Sequence, residues 1–122
     1  MNINKPDKDT LILDIDGTLV VHNYNPEEQE DVVLPGARGF LNANRDKVVV
    51  LVTGRSPQEA QKALDALSRE GCYLGNVKYI LTDMPTGTRI LVNDTKEKEN
   101  PKAVAVSLLR DTGFPEYDYG HS

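Results

Sequence analysis

Two short runs, residues 10–15 and 48–52, are apolar almost without interruption. A strand with one wet face alternates apolar and polar residues; these runs do not, so each reads as a strand buried on both faces, the habit of a parallel sheet covered by helices. Residues 77–81 read as a third strand. Residues 90–93 read as a fourth, after a turn-rich passage holding Pro85 and Gly87.

Helical signals fill the intervals. The clearest follows residue 52: Ser56 and Glu59 have capping-box spacing, Pro57 takes the first helical position, and Ala60, Ala63, Leu64 and Leu67 recur at helical spacing before Gly71 stops the run. Pro35-Gly36 opens a shorter helix with Ala37, Phe40 and Leu41 on one face, ending near Asn44. Asn100-Pro101 caps a last helix carrying Val104, Leu108 and Leu109, with Gly113 as its stop. Leu19, Val20 and Val21 read as a small hairpin arm, and residues 23–31 as a polar, acidic loop. Strands alternating with helices predict an α/β fold, a single three-layer Rossmann-like domain with a mostly parallel, doubly wound sheet. The domain spans 1–122, with its core at 10–113 and a loose tail at 114–122.

At 122 residues the chain has room for one core and none for a second folded unit. Its 14 Lys and Arg against 19 Asp and Glu give a net charge of -5, with no basic block, which argues against a nucleic-acid or membrane partner. Cys72 is the single cysteine, so an internal disulfide and a cysteine zinc cage are excluded. A polar first segment with Asp7 and Asp9, and the lack of an apolar run near the ~18 residues that span a bilayer, lead to the expectation of an unexported, cytoplasmic protein.

Chemistry gathers at predicted strand ends. Asp14 and Asp16 stand two residues apart where the first strand stops, and Gly17 permits the backbone to leave sharply. Crowded carboxylates raise one pKa and call for a counter-charge, which suits a nucleophile, a proton donor and a hard divalent cation. Thr53 ends the second strand and Asn93-Asp94 the fourth, so three signals converge on one sheet edge, where such folds bind ligands.

Asp14-Ile15-Asp16-Gly17-Thr18 resembles the first motif of the haloacid-dehalogenase-like phosphatases and phosphotransferases. The stretch at 49–55, ending Thr53-Gly54-Arg55, resembles the second motif, and Ile90-Leu91-Val92-Asn93-Asp94 the fourth. The resemblance implies that Asp14 attacks phosphorus and that Asp16 protonates the leaving oxygen and later activates water. It implies that Thr53 and the amide after it bind phosphoryl oxygens. It also implies a Mg²⁺ site made by Asp14, the backbone carbonyl of Asp16, and Asp94. The third-motif cation is Arg89 or Lys78, with Arg89 favoured because it precedes the strand carrying Asp94 and can grip phosphate bidentately. Gly54, Arg55 and Lys78 complete the substrate-binding set, with Arg55 divided between substrate contact and solvated surface. Residues 87–96 are similar to small phosphatases associated with capsular polysaccharides and sugar phosphates.

The spacing leaves no room for a cap domain, so the substrate is expected to be a small phosphorylated metabolite reached through an open site, or one covered by a second copy of the chain. The competing expectation is a binding or scaffold module that keeps the fold without turnover. Asn93, where a second acid is usual, supports that rival; the intact Asp14 and Asp16 oppose it.

Overall fold

A computed structural model describes residues 8–99 and 101–118. The elements run β1 (Thr10–Asp14), α1 (Ala37–Ala43), β2 (Val48–Val52), α2 (Pro57–Arg69) and β3 (Val77–Leu81), followed by a 3₁₀ turn at Pro115–Tyr117. The strands form one parallel sheet in the order β1-β2-β3. Asp14 pairs with Val52, and Val52 with Leu81, so the carboxyl ends of all three strands are level.

That order fixes the layers. Parallel crossovers are right-handed, and two successive ones stepping in the same direction put both helices on one face. Leu13, Val49 and Leu51 from the sheet, Ala37 and Leu41 from α1, and Ala63 and Leu67 from α2 make one core cluster there. Helix α2 starts as its sequence dictates: the Ser56 hydroxyl accepts from the Glu59 amide, and the Glu59 carboxylate accepts from the Ser56 amide. Helix α1 starts after Gly36, whose φ of 79° is open to glycine at little cost, and a Cβ at that position would collide with the Phe114 carbonyl.

Two expected elements are not formed. Residues 90–93 make no fourth strand, and residues 101–113 make no helix; the expected cap at Asn100 lies outside the described residues. The doubly wound sheet is thus singly wound, and the face opposite the helices is open, with Ile12 53% and Tyr79 58% exposed. Ile90, Leu91, Val92, Val104 and Leu109 are exposed as well. Their apolar pattern was legible, but it does not state what they pack against.

The tail also departs from expectation. Phe114 is buried and stacks on Phe40 at 4.3 Å between ring centroids, with Tyr117 edge-on to the same ring. Residues 114–118 therefore belong to the core over α1, whereas 119–122 lie outside the described residues. The expected arm forms in part: Val21 donates to the Val32 carbonyl and Leu34 to that of Leu19, around an antiparallel bridge between Val20 and Val33. Among the described residues no helix is long and apolar enough to cross a membrane.

Candidate active site

Strand β1 delivers Asp14 as its last residue, and the chain then turns at once. Gly17, with φ 80°, donates to the Val20 carbonyl, while Leu19 and Val20 donate back to that of Ile15. The turn carries Thr18 over Asp14, where its hydroxyl donates to Oδ2 at 3.3 Å. Arg89 approaches from the loop after β3 and donates to the other oxygen, Oδ1, at 3.2 Å. Asp14 is thus held on both oxygens while 37% of its side chain stays exposed.

Asp16 has different partners. Nε of Arg55 donates to its Oδ2 at 2.8 Å, Nη2 donates to Oδ1 at 2.7 Å, and the Asn23 amide donates to Oδ1 at 3.2 Å. The same guanidinium grips Asp31, with Nη1 to Oδ2 at 3.0 Å and Nη2 to Oδ1 at 2.6 Å, and Nη1 also donates to the Glu59 carbonyl. The side chains of Arg55 and Asp31 are 3% and 1% exposed, that of Asp16 17%.

Burial by itself favours neutral forms, but here the pairing wins. Burial works to raise the pKa of Asp31, yet hydrogen bonds from Arg55 and Asn23 and the charges of Arg55 and Lys62 hold it below the ordinary aspartate value. Burial works to lower that of Arg55, yet its hydrogen bonds to Asp16 and Asp31 and their charges raise it.

Of the residues read from sequence as functional, the fold brings Asp14, Asp16, Thr53, Gly54, Arg55 and Arg89 to the carboxyl edge of the sheet. Thr53 is buried and its Oγ1 accepts from the Arg55 amide at 3.0 Å, closing a turn on which Gly54 is exposed. The amide of Met84 donates to the Thr53 carbonyl and that of Asp83 to the Arg55 carbonyl, so the loop after β3 borders this turn.

Two residues are not brought there. Lys78 is exposed in the amino half of β3, its Nζ 5.8 Å from the Tyr79 ring centroid. Asp94 stands exposed on the irregular segment after Arg89, and among the described residues no group of three His, Cys, Asp or Glu is placed to hold a metal. The reason is the missing fourth strand, on which the convergence of Asp94 depended. The solvated-surface reading of Arg55 needs correction: the side chain is buried and paired with Asp16 and Asp31.

Sequence reasoning missed Asp31 and Asn23, which sit in the acidic loop without periodicity. The one hint was Arg55 itself, a cation at a helix N-terminus, where the dipole disfavours it unless carboxylates stand nearby. It also missed the return of residues 110–111: the Asp111 amide donates to the Gly17 carbonyl, the Asp111 carboxylate accepts from the His22 amide, and Arg110 packs over Gly17. Beside this edge, adjoining it through Asn23, an open cleft of about 380 Å³ is lined by Val21, His22, Gln29, Glu30 and Val32.

Comparison with protein families, with curated proteins and with solved structures finds no match to the chain.

Proposed function

We propose that the protein is a magnesium-dependent phosphomonoester hydrolase of the haloacid-dehalogenase-like type, working through an aspartyl-phosphate on a small phosphorylated metabolite such as a sugar phosphate. The observation that carries this reading is the division of partners between the two aspartates. Asp14 is held on each oxygen while 37% of its side chain stays exposed, and the Asp16 carboxylate is gripped by Arg55. One is presented for attack, and the other is fixed for proton transfer.

In the proposed first step an Asp14 oxygen forms a bond to phosphorus as the ester P–O bond breaks, and Asp16, which must enter this step carrying a proton on one of the oxygens that Arg55 grips, gives that proton to the departing oxygen. In the second, water attacks the same phosphorus, Asp16 takes the proton, and the bond to Asp14 breaks. Arg89 can pass from Asp14 to the phosphoryl oxygens, and the Thr53 hydroxyl and Gly54 amide add donors. Distributing the work this way suits a reaction whose uncatalysed rate is among the slowest known.

The donor set fits Mg²⁺, which takes one or two carboxylates and leaves further positions to water and phosphate oxygens. Asp14 offers an exposed carboxylate. Asp16, its carboxylate held by Arg55, offers its main-chain carbonyl. A bound ion would neutralise charge on the phosphoryl group and orient the ester.

The finer architecture belongs to the same proposal. Parallel sheets are stable with both faces covered, and here one face is open while Ile90, Leu91, Val92, Val104 and Leu109 lie in water. That pairing supports a three-layer working state in which residues 90–109 close over the open face and carry Asp94 toward the site. Slowed amide exchange across 90–109 on adding Mg²⁺ and phosphate is the expected sign; unchanged exchange there would contradict it.

The activity is tested by release of inorganic phosphate from a panel of phosphosugars and nucleotides, with and without Mg²⁺, for the parent and Asp14→Asn. Mg²⁺-dependent turnover lost in the variant is the expected result. Demonstrated Mg²⁺ binding with no turnover of any panel member would favour the scaffold reading.

A further inference from the structure

A guanidinium has five N–H donors in a rigid plane. In Arg55 the structure uses all five: two on Asp16, two on Asp31 and one on the Glu59 carbonyl. The Nε/Nη2 edge forms a fork on Asp16 and the Nη1/Nη2 edge a fork on Asp31, so two carboxylates fix the plane from two sides. None of the five is left for a phosphate. The Asp31 side chain is 1% exposed, and Asn23 holds it as well, its Nδ2 donating to Oδ1 at 3.0 Å. Asn23 closes the loop, because its own amide binds Asp16. Arg55 immediately precedes the capping box of α2, which ties the base of the arrangement to the helix.

We infer that Arg55 and Asp31 are positioning residues for Asp16: Asp31 locks the Arg55 guanidinium, and the locked guanidinium aims the Asp16 carboxylate at the leaving-group oxygen. This rests on the hydrolase reading above. A proton donor must be held within a fraction of an ångström of its productive pose, and Asn in place of Asp31 keeps the shape while offering one acceptor oxygen instead of two. The fork loosens, and Asp16 loses its aim while Asp14 keeps its own partners, Thr18 and Arg89.

Leaving-group dependence separates this role from a structural one. An alkyl phosphate needs its departing oxygen protonated; p-nitrophenyl phosphate hardly does. For Asp31→Asn the expected result is a kcat/KM on an alkyl phosphate, which reports the steps through formation of the aspartyl-phosphate, lower by about 10²-fold, the size of a general-acid contribution, with kcat/KM on p-nitrophenyl phosphate changed by less than about threefold. Asn23→Ala, which removes the side-chain hold on Asp31 without altering either carboxylate, should show the same selectivity to a smaller degree and covers the case in which Asp31→Asn does not fold. Equal losses of kcat/KM on both substrates would overturn the inference. Absence of turnover by the parent on either ester with Mg²⁺ would instead overturn the hydrolase reading, and this inference with it.

Discussion

Nη1 of Arg89 lies 3.2 Å from Oδ1 of Asp14, across 75 positions of sequence. The loop after β3 thus places a cation on the last residue of β1, although the strand expected to deliver it is not formed. Both side chains are substantially exposed, and an exposed ion pair contributes about 0–1 kcal/mol to stability. Arg89→Ala should therefore leave the urea midpoint almost unchanged while lowering kcat/KM for a phosphomonoester by about 10²-fold. Arg89→Lys should recover part of the loss. Loss of folding in Arg89→Ala would assign the residue a structural role.

Arg55 is the opposite case. Its side chain is 3% exposed between two carboxylates, and removing one partner of a buried pair leaves an uncompensated charge, costing about 3–5 kcal/mol. Arg55→Ala is expected to unfold at a correspondingly lower urea concentration. A change below about 1 kcal/mol would mean that solvent or a rearranged cation replaces the guanidinium.

Asp31 contributes a pH-dependent part of the stability in acid. Its folded pKa lies below the unfolded value, so its contribution is fully present above the unfolded pKa of about 4 and is lost as the pH falls through the folded pKa. Stability measured by urea unfolding should carry no contribution from this group to its slope above about pH 5. Below about pH 4 the parent should lose stability more steeply than Asp31→Asn. Parallel curves for the two proteins in the acid range would contradict the assignment.

Phe114 closes the chain onto α1 by stacking on Phe40. Phe114→Ala should cost about 3 kcal/mol, in the range for emptying a buried aromatic site. A cost near zero in chemical denaturation would return this segment to the loose tail its sequence suggests.

The parts of the fold legible in sequence are those whose signals are local. The apolar run of β2, the Ser56–Glu59 capping box and the Ala60, Ala63, Leu67 stripe of α2 each carry their reason within a few residues, and each element forms where expected. Residues 90–113 carry an equally apolar pattern, yet a strand or helix there needs a partner surface that no local signal names. The site divides in the same way. Asp14, Asp16 and Thr53 were readable because strand ends and turn residues mark them. Asp31 was not: its meaning is the Arg55 guanidinium, 24 residues onward, and nothing in the acidic loop around it distinguishes that carboxylate from its solvated neighbours.

An aspartyl-phosphate requires a covalent bond between phosphorus and an Asp14 carboxylate oxygen. Turnover with an alkyl phosphate and Mg²⁺, quenched in acid and reduced with borohydride, converts an aspartyl-phosphate to homoserine, which peptide mass analysis locates. Homoserine is expected at position 14, dependent on substrate and Mg²⁺. Phosphate release without reduction at Asp14, or with reduction at another carboxylate, would contradict it.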